Sequence, residues 1–210
     1  MPNSTIAILA IYLGFALLEL LQSDLFAKPE QTRDDGIVEA VSIVVLLGLT
    51  QPAVLFLSAA LAGWIAPQYS GALSGLNVVA AIGLFLILDD MTQYWWHRAA
   101  HTFPWLYNLH RPHHNARYMS IRLVYRNNLF YYMMMPGIWL SGVLIYLGLS
   151  WVYAGYIVVK LLVITGAHSD VAWDKPLYRI AWLSPVMWMN AVNATARAST
   201  AAATIQCMLS

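Results

Sequence analysis

Five apolar runs constrain the fold of this chain more than any other feature of its sequence. Four of them are close to the roughly 20 mostly apolar residues that a membrane-spanning helix needs, and the second is longer. A water-soluble domain usually has about a quarter of its residues charged, whereas charged residues make up 10% of this chain. We therefore predict an all-α integral membrane bundle of about four to five transmembrane helices. The runs are residues 5–22, 37–66, 76–95, 128–149 and 150–166.

Two of these runs carry signs of irregular geometry. The second contains Gln51-Pro52 near its middle, and proline removes a backbone donor and clashes with the preceding turn. A kink is expected there, within either one kinked span or two shorter pieces. The last two runs meet at Gly148-Leu149-Ser150, which predicts a tight helical hairpin.

Positive charges predict how the chain is oriented in the membrane. Cytoplasmic loops carry an excess of Lys and Arg, and if the second run crosses once, all basic connecting segments fall on one side. This side is predicted to be cytoplasmic, with the N-terminus outside. The net charge of +1 argues against nucleic acid as a partner. The basic segments are 23–36, 96–127 and 167–180.

All six histidines lie on the predicted cytoplasmic side, where they form a histidine-rich helical cap. Spacing of three or four residues places imidazoles on one helix face, and both His97-Arg-Ala-Ala-His101 and His110-Arg-Pro-His-His114 have it. Imidazole suits iron, zinc, copper and nickel, so a metal site is predicted; a proton relay is the alternative. The candidate ligands are His97, His101, His110, His113, His114 and His168.

These histidine groups resemble those of a known superfamily. The stretch from Asp90 through Tyr94-Trp95-Trp96 to His97-Arg98-Ala-Ala-His101 resembles the first histidine box of the fatty-acid hydroxylase / sterol desaturase superfamily. His110-Arg-Pro-His113-His114 resembles its second box, and Gly166-Ala-His168 its isolated histidine after the apolar hairpin. The resemblance is clearest over residues 80–187.

The resemblance implies a function as well as a fold. It implies a di-iron centre that uses O2 to hydroxylate or desaturate a lipid, with electrons from cytochrome b5, ferredoxin or a reductase. Asp90 is interpreted as a hydrogen-bond acceptor that orients a ligand imidazole from another box, or else as an interhelical polar contact. Lys160 lies mid-span, where it lines a polar cavity or snorkels to the interface.

The end of the chain departs from the superfamily pattern. The superfamily places a third box, ending in His-x-x-His-His, after Leu183-Ser184-Pro185-Val186-Met187, but residues 188–210 form a tail rich in Ala and Thr without histidine. We therefore separate a hydroxylase-like membrane domain (1–187) from an anomalous tail (188–210). A truncated or frameshifted reading frame is the leading interpretation of the tail, and a genuine divergent end is the alternative.

Three functional hypotheses follow. The first is a membrane-bound, O2-dependent lipid hydroxylase or desaturase. The second is a binding or transport protein whose histidines move protons or a metal ion, which would place its ligands near the membrane midplane. The third is an inactive product that keeps the fold but lacks the ligands of the third box.

Overall fold

A computed structural model describes residues 2–22 and 31–170, and within these ranges the chain is helical and contains no strand. The predicted all-α fold is confirmed. Short 3₁₀ turns at Pro67–Tyr69 and Ile121–Tyr125 lie in the connections. The helices are α1 (Pro2–Gln22), α2 (Arg33–Val45), α3 (Gln51–Ile65), α4 (Val78–Thr102), α5 (Pro104–His114), α6 (Leu129–Met133), α7 (Pro136–Leu144) and α8 (Ser150–His168).

Three helical stretches of the described chain are long and apolar enough to cross a membrane. They are Arg33–Ile65, Val78–Thr102 and Leu129–His168, and Ile6–Leu21 forms a shorter apolar helix. Many large apolar side chains on these helices are exposed, as expected where lipid rather than water covers the surface. These features indicate a membrane protein, while the predicted number of four to five spans stays a prediction.

The second apolar run forms one continuous helical stretch, because a π turn resolves the expected kink. Leu46–Thr50 is π-helical, and the Gln51 amide donates to the Leu46 carbonyl five residues back. Wider turns of this kind accommodate an extra residue within a helix. The Thr50 hydroxyl also donates to the Val45 carbonyl at 3.0 Å. Pro52 directly follows this π turn, so the irregular hydrogen bonding accommodates the amide donor that proline lacks.

The predicted hairpin between α7 and α8 is present, and Gly148 makes its turn. Its φ of 103° lies in the region that favours glycine, and an added Cβ would lie 3.0 Å from the Gly71 Cα. The Leu73 amide donates to the Leu147 carbonyl at 2.8 Å. This contact fixes the hairpin turn against the connection between α3 and α4, and sends α8 back towards the histidines.

The interior of the bundle forms around α4. Near its start, Phe85 stacks on Tyr156 of α8 with ring centroids 4.8 Å apart. Near its end, Ala100 packs in a second buried cluster with Leu106 of α5 and Tyr131 of α6. Helix α4 therefore touches every element that carries a candidate ligand.

An ion pair inside the bundle joins α4 to α8. Lys160 Nζ lies 2.8 Å from Asp89 Oδ1, and both side chains are largely buried. Lys160 therefore neither snorkels nor stays unpaired, and Asp89 makes an interhelical contact. Each residue precedes a candidate ligand on its own helix, His168 or His97, by eight positions, so the pair aligns the two helices about 12 Å from the histidines.

We predict that Gly142→Ala destabilises the contact between α3 and α7. An alanine Cβ there would overlap the Ser58 hydroxyl and lie 2.6 Å from the Leu55 carbonyl oxygen. Overpacking of this kind costs about 1–3 kcal/mol, so the midpoint of thermal unfolding in detergent should fall. Gly83→Ala is the matched control, because nothing lies within 4 Å of its Cβ position. An equal midpoint for the two variants would contradict the packing described.

We also predict that Asp89→Asn lowers the free energy of unfolding by about 3–5 kcal/mol, because it leaves a buried ammonium without its counter-charge. The double variant Asp89→Asn/Lys160→Met should recover most of this loss. Urea unfolding in micelles measures both, with Asp34→Asn as a control because Asp34 is exposed. A double variant less stable than Asp89→Asn alone would disagree with the ion-pair interpretation.

Candidate metal centre

The junction between α4 and α5 brings the first two histidine groups together. Phe103 is extended, with φ −98° and ψ 118°, as expected for a residue that precedes proline. Pro104 then begins α5. Pro112 lies in the last turn of α5. The one-residue break at Phe103 lets α5 fold back so that its histidines face those of α4.

Four imidazoles converge at this junction. His97, His101, His110 and His114 each offer a ring nitrogen, and these nitrogens all lie within 4.8 Å of one another. The Nε2 atom of His101 is 2.9 Å from that of His97 and 3.1 Å from that of His114. The Nε2 atoms of His114 and His110 are also 2.9 Å apart. We call these four residues the four-histidine cluster.

The spacing of these nitrogens fits a transition-metal ion. Two imidazole nitrogens bound at about 2.1 Å to one ion are about 3.0 Å apart when they subtend a right angle. The four-histidine cluster has this spacing between neighbours. Neutral imidazoles that all point Nε2 inward either share protons or bring lone pairs together, and a cation in the centre removes that repulsion. The donor set therefore suits a metal that prefers nitrogen ligands.

His113 and His168 form a separate pair beside the cluster. Their Nε2 atoms are 3.3 Å apart, although His113 was expected to point to the same side as His110 and His114. It points instead towards the end of α8, while its ring stacks on that of His110 with centroids 5.2 Å apart. His168 returns to the other five histidines, as the predicted topology requires. We call these two residues the histidine pair.

Hydrogen bonds orient two of the six rings. The Nδ1–H of His168 donates to the Ile164 carbonyl at 2.7 Å; because a carbonyl only accepts, the Nε2 of the neutral ring carries the lone pair. Nδ1 of His110 lies 3.3 Å from Asn127 Oδ1, which similarly leaves Nε2 for the cluster. Such partners fix the tautomer and direction of a metal-binding imidazole.

Burial keeps two of these rings neutral. It lowers the pKa of His110 to about 4, although the Asn127 hydrogen bond acts in the opposite direction. Burial also lowers the pKa of His113 well below its usual value, and the nearby His168 adds to that shift. Because only the neutral imidazole has a lone pair to donate, both rings are able to bind metal at neutral pH.

Aromatic rings enclose one side of the cluster. Tyr131 stacks on His110 with centroids 4.5 Å apart, and Trp96 packs on Tyr131 at 5.4 Å. Only 2% of His110 is exposed, whereas His101 is exposed. The cluster is therefore closed towards the bundle and open beside His101.

Asp90 is half-buried in α4, seven residues before His97, and its predicted role in orienting an imidazole stays a prediction. The predicted tail (188–210), where a third box would begin, lies outside the described residues. The buried acids Glu19 and Glu39 were not predicted from the sequence. Their positions in otherwise apolar runs could have indicated a special role. A carboxylate inside a membrane-spanning segment is energetically costly and is usually kept for a function.

We predict that purified protein binds one first-row transition metal ion tightly, through the four-histidine cluster. His114→Ala should abolish most of this binding, because His114 touches both His101 and His110. His113→Ala is the matched control, because it belongs to the histidine pair and should leave most of the tightly bound ion. Elemental analysis after gel filtration measures the stoichiometry. Equal loss in the two variants would contradict the division into cluster and pair.

Comparison with known proteins agrees with this geometry. The model of the fatty acid hydroxylase family matches residues 82–197, which is more than half of the 210 residues and includes all six histidines. No curated protein and no solved structure matches the chain. An all-helical fold, apolar helices and clustered histidines within the matched region lead to one conclusion: this chain belongs to the fatty acid hydroxylase family.

Proposed function

We propose that this protein is a membrane-bound, O2-dependent oxidoreductase that hydroxylates or desaturates an aliphatic lipid at a di-iron centre. The observation that carries the proposal is the convergence of four imidazole nitrogens within 4.8 Å. The family match supports the reaction class. Sterols, fatty acyl chains and sphingoid bases all offer the unactivated C–H bonds that such chemistry attacks.

The four-histidine cluster and the histidine pair would bind different iron ions of the centre. The four-histidine cluster would hold one iron, and the histidine pair would contribute two ligands to the other. When bound, iron ligated by neutral imidazoles supplies the oxidising power needed to break an aliphatic C–H bond with O2. The protein's own part is to keep these imidazoles neutral and oriented, through burial of His110 and the carbonyl bond of His168.

An apolar groove supports an aliphatic substrate. It has a volume of about 300 Å³ and is lined by Met91, Thr92, Trp95, Trp96 and Pro136, between α4 and the start of α7. Both helices belong to stretches apolar enough to span a membrane. Trp96 also packs on Tyr131, which stacks on His110. We assign the alkyl chain to this groove, which the rings of Trp96 and Tyr131 separate from His110.

We also propose that the four-histidine cluster faces the cytoplasm and receives electrons from a separate protein. Exposed Arg98, Arg111 and Arg117 lie on or just after the two helices that carry the cluster, and such charges favour the cytoplasmic side. In hydroxylation, the substrate supplies only part of the electrons that reduce O2, so a separate donor is needed. We propose cytochrome b5, ferredoxin or a reductase as their source.

The other two hypotheses fare differently. His97 and His101 lie in the last two turns of α4, whereas a transporter would place its ligands near mid-membrane. The inactive product remains the alternative for this chain, because two imidazoles are fewer than the three protein ligands of typical catalytic metal sites. All six histidines of the sequence already belong to the cluster and the pair.

Expression of the chain under ¹⁸O2, followed by mass spectrometry of membrane lipids, tests the proposal. We expect a lipid that carries one labelled oxygen atom or has lost two hydrogen atoms, compared with cells that carry the empty vector. Cells that express His114→Ala should lack this product, because the variant removes a ligand of the four-histidine cluster.

Tyr107→Phe is the control for expression and folding, since it keeps the ring beside His101 and His114. A tightly bound metal without any lipid product, even with each donor class co-expressed, would favour the inactive product. Absence of metal together with absence of product would refute the proposed function.

A further inference from the structure

Arg126 makes an internal contact with the helix that carries the second histidine group. It follows the 3₁₀ turn Ile121–Tyr125, and only 7% of it is exposed. Its Nε donates to the carbonyl oxygen of Pro112 at 2.9 Å. Pro112 directly precedes His113 and His114, so this one bond reaches the turn that presents a ligand to the cluster and a ligand to the pair.

The Pro112 carbonyl needs such a partner. The last four carbonyl groups of an α-helix lack an intrahelical donor, and Pro112 lies in the last turn of α5. A cationic donor at this end also interacts favourably with the partial negative charge of the helix C-terminus. Arg126 therefore stabilises the turn from Arg111 to His114 in the conformation that points its imidazoles inward.

The other side of the Arg126 guanidinium is anchored on α2. Its NH1 lies 2.7 Å from Asp35 Oδ1 and 3.7 Å from Glu39 Oε1. Asp35 is itself held at the start of α2 by a capping box with Thr32. Glu39 is 2% exposed and also accepts a hydrogen bond from Tyr118. The two carboxylates thus hold NH1 of the guanidinium, while Nε holds the Pro112 carbonyl.

The residue after Arg126 reaches the same histidine group independently. Asn127 Oδ1 lies 3.3 Å from Nδ1 of His110. Consecutive residues therefore contact the second group at two points, His110 at its start and the Pro112 carbonyl at its middle. Arg126 uses the planar fork of arginine, which places Nε on the Pro112 carbonyl and NH1 beside the two carboxylates.

We propose that Arg126 is a positioning residue for the metal centre: it bridges the Pro112 carbonyl to Asp35 and Glu39, and so fixes where His113 and His114 point. The inference rests on the metal-binding part of the proposed function. It also assigns a purpose to Asp35 and Glu39 of α2, which lie far from the histidines in sequence.

Arg126→Lys tests the proposal, with Arg122→Lys as the matched control. Lysine keeps the positive charge beside the carboxylates but cannot donate along both directions of the fork. Arg122 shares the Glu39 anchor, with NH1 at 3.3 Å from Oε2. It also donates to Ser120 and Gln31, and its guanidinium carbon lies 5.6 Å from the centre of the Tyr118 ring. The two variants therefore differ in the link to the histidine turn.

The first measurement is a titration of the metal-free protein with Co²⁺, monitored through the visible absorption bands of the bound Co²⁺. Loss of a residue that orients metal ligands typically weakens binding about 10–100-fold, so Arg126→Lys should weaken Co²⁺ binding by about tenfold or more and change the band positions. Arg122→Lys should bind and absorb like the unaltered protein. Equal Co²⁺ affinity and equal spectra in the two variants would overturn the proposal.

The second measurement needs no metal and separates this inference from the proposed function. Amide hydrogen exchange should become faster in the peptide that contains residues 111–115 in Arg126→Lys, but not in Arg122→Lys. If the unaltered protein bound no Co²⁺, the proposed metal function would fail, while the exchange comparison would still decide the role of Arg126. Unchanged exchange, or a general loss of helicity confined to Arg126→Lys, would refute a local positioning role.

Discussion

A charged side chain inside an apolar bundle is stable only when a partner offsets the loss of hydration. The buried charges described here obey this constraint, and their partners lie on other segments of the chain. Glu19 of α1 accepts hydrogen bonds from Ser120 and from the Ile121 amide. Asp89 and Lys160 join α4 to α8. These polar contacts supply the specific alignment that non-directional apolar packing does not provide.

The sequence predicts the site well where the chemistry is local. Spacing of four residues in His97–His101 and in His110–His114 places each pair on one helix face, and both pairs meet in the four-histidine cluster. The partner of His113 was not predictable in this way. It depends on the direction in which α8 returns from Gly148, and on α5 beginning at Pro104, which are properties of the assembled bundle.

The arginines show the same limit of prediction from sequence. The count of arginines between residues 96 and 127 was interpreted as a membrane-orientation signal, yet Arg122 and Arg126 form ion pairs with Glu39. Composition does not distinguish an arginine that faces lipid headgroups from one that is neutralised inside the protein. The apolar runs, by contrast, located the long helices to within about seven residues at each end, because lipid exposure demands that whole stretches be apolar.

The π turn at Leu46–Thr50 has a consequence for the rotational phase of the helix that contains it. Nineteen residues separate Glu39 from Ser58, and at about 100° per residue they would lie about 100° apart around a regular helix. Both are nevertheless buried, because the wider turn absorbs one residue and brings the two halves back into phase. Helix α2, which binds Arg126, and helix α3, which packs on α7, therefore bury the same face of one continuous helix.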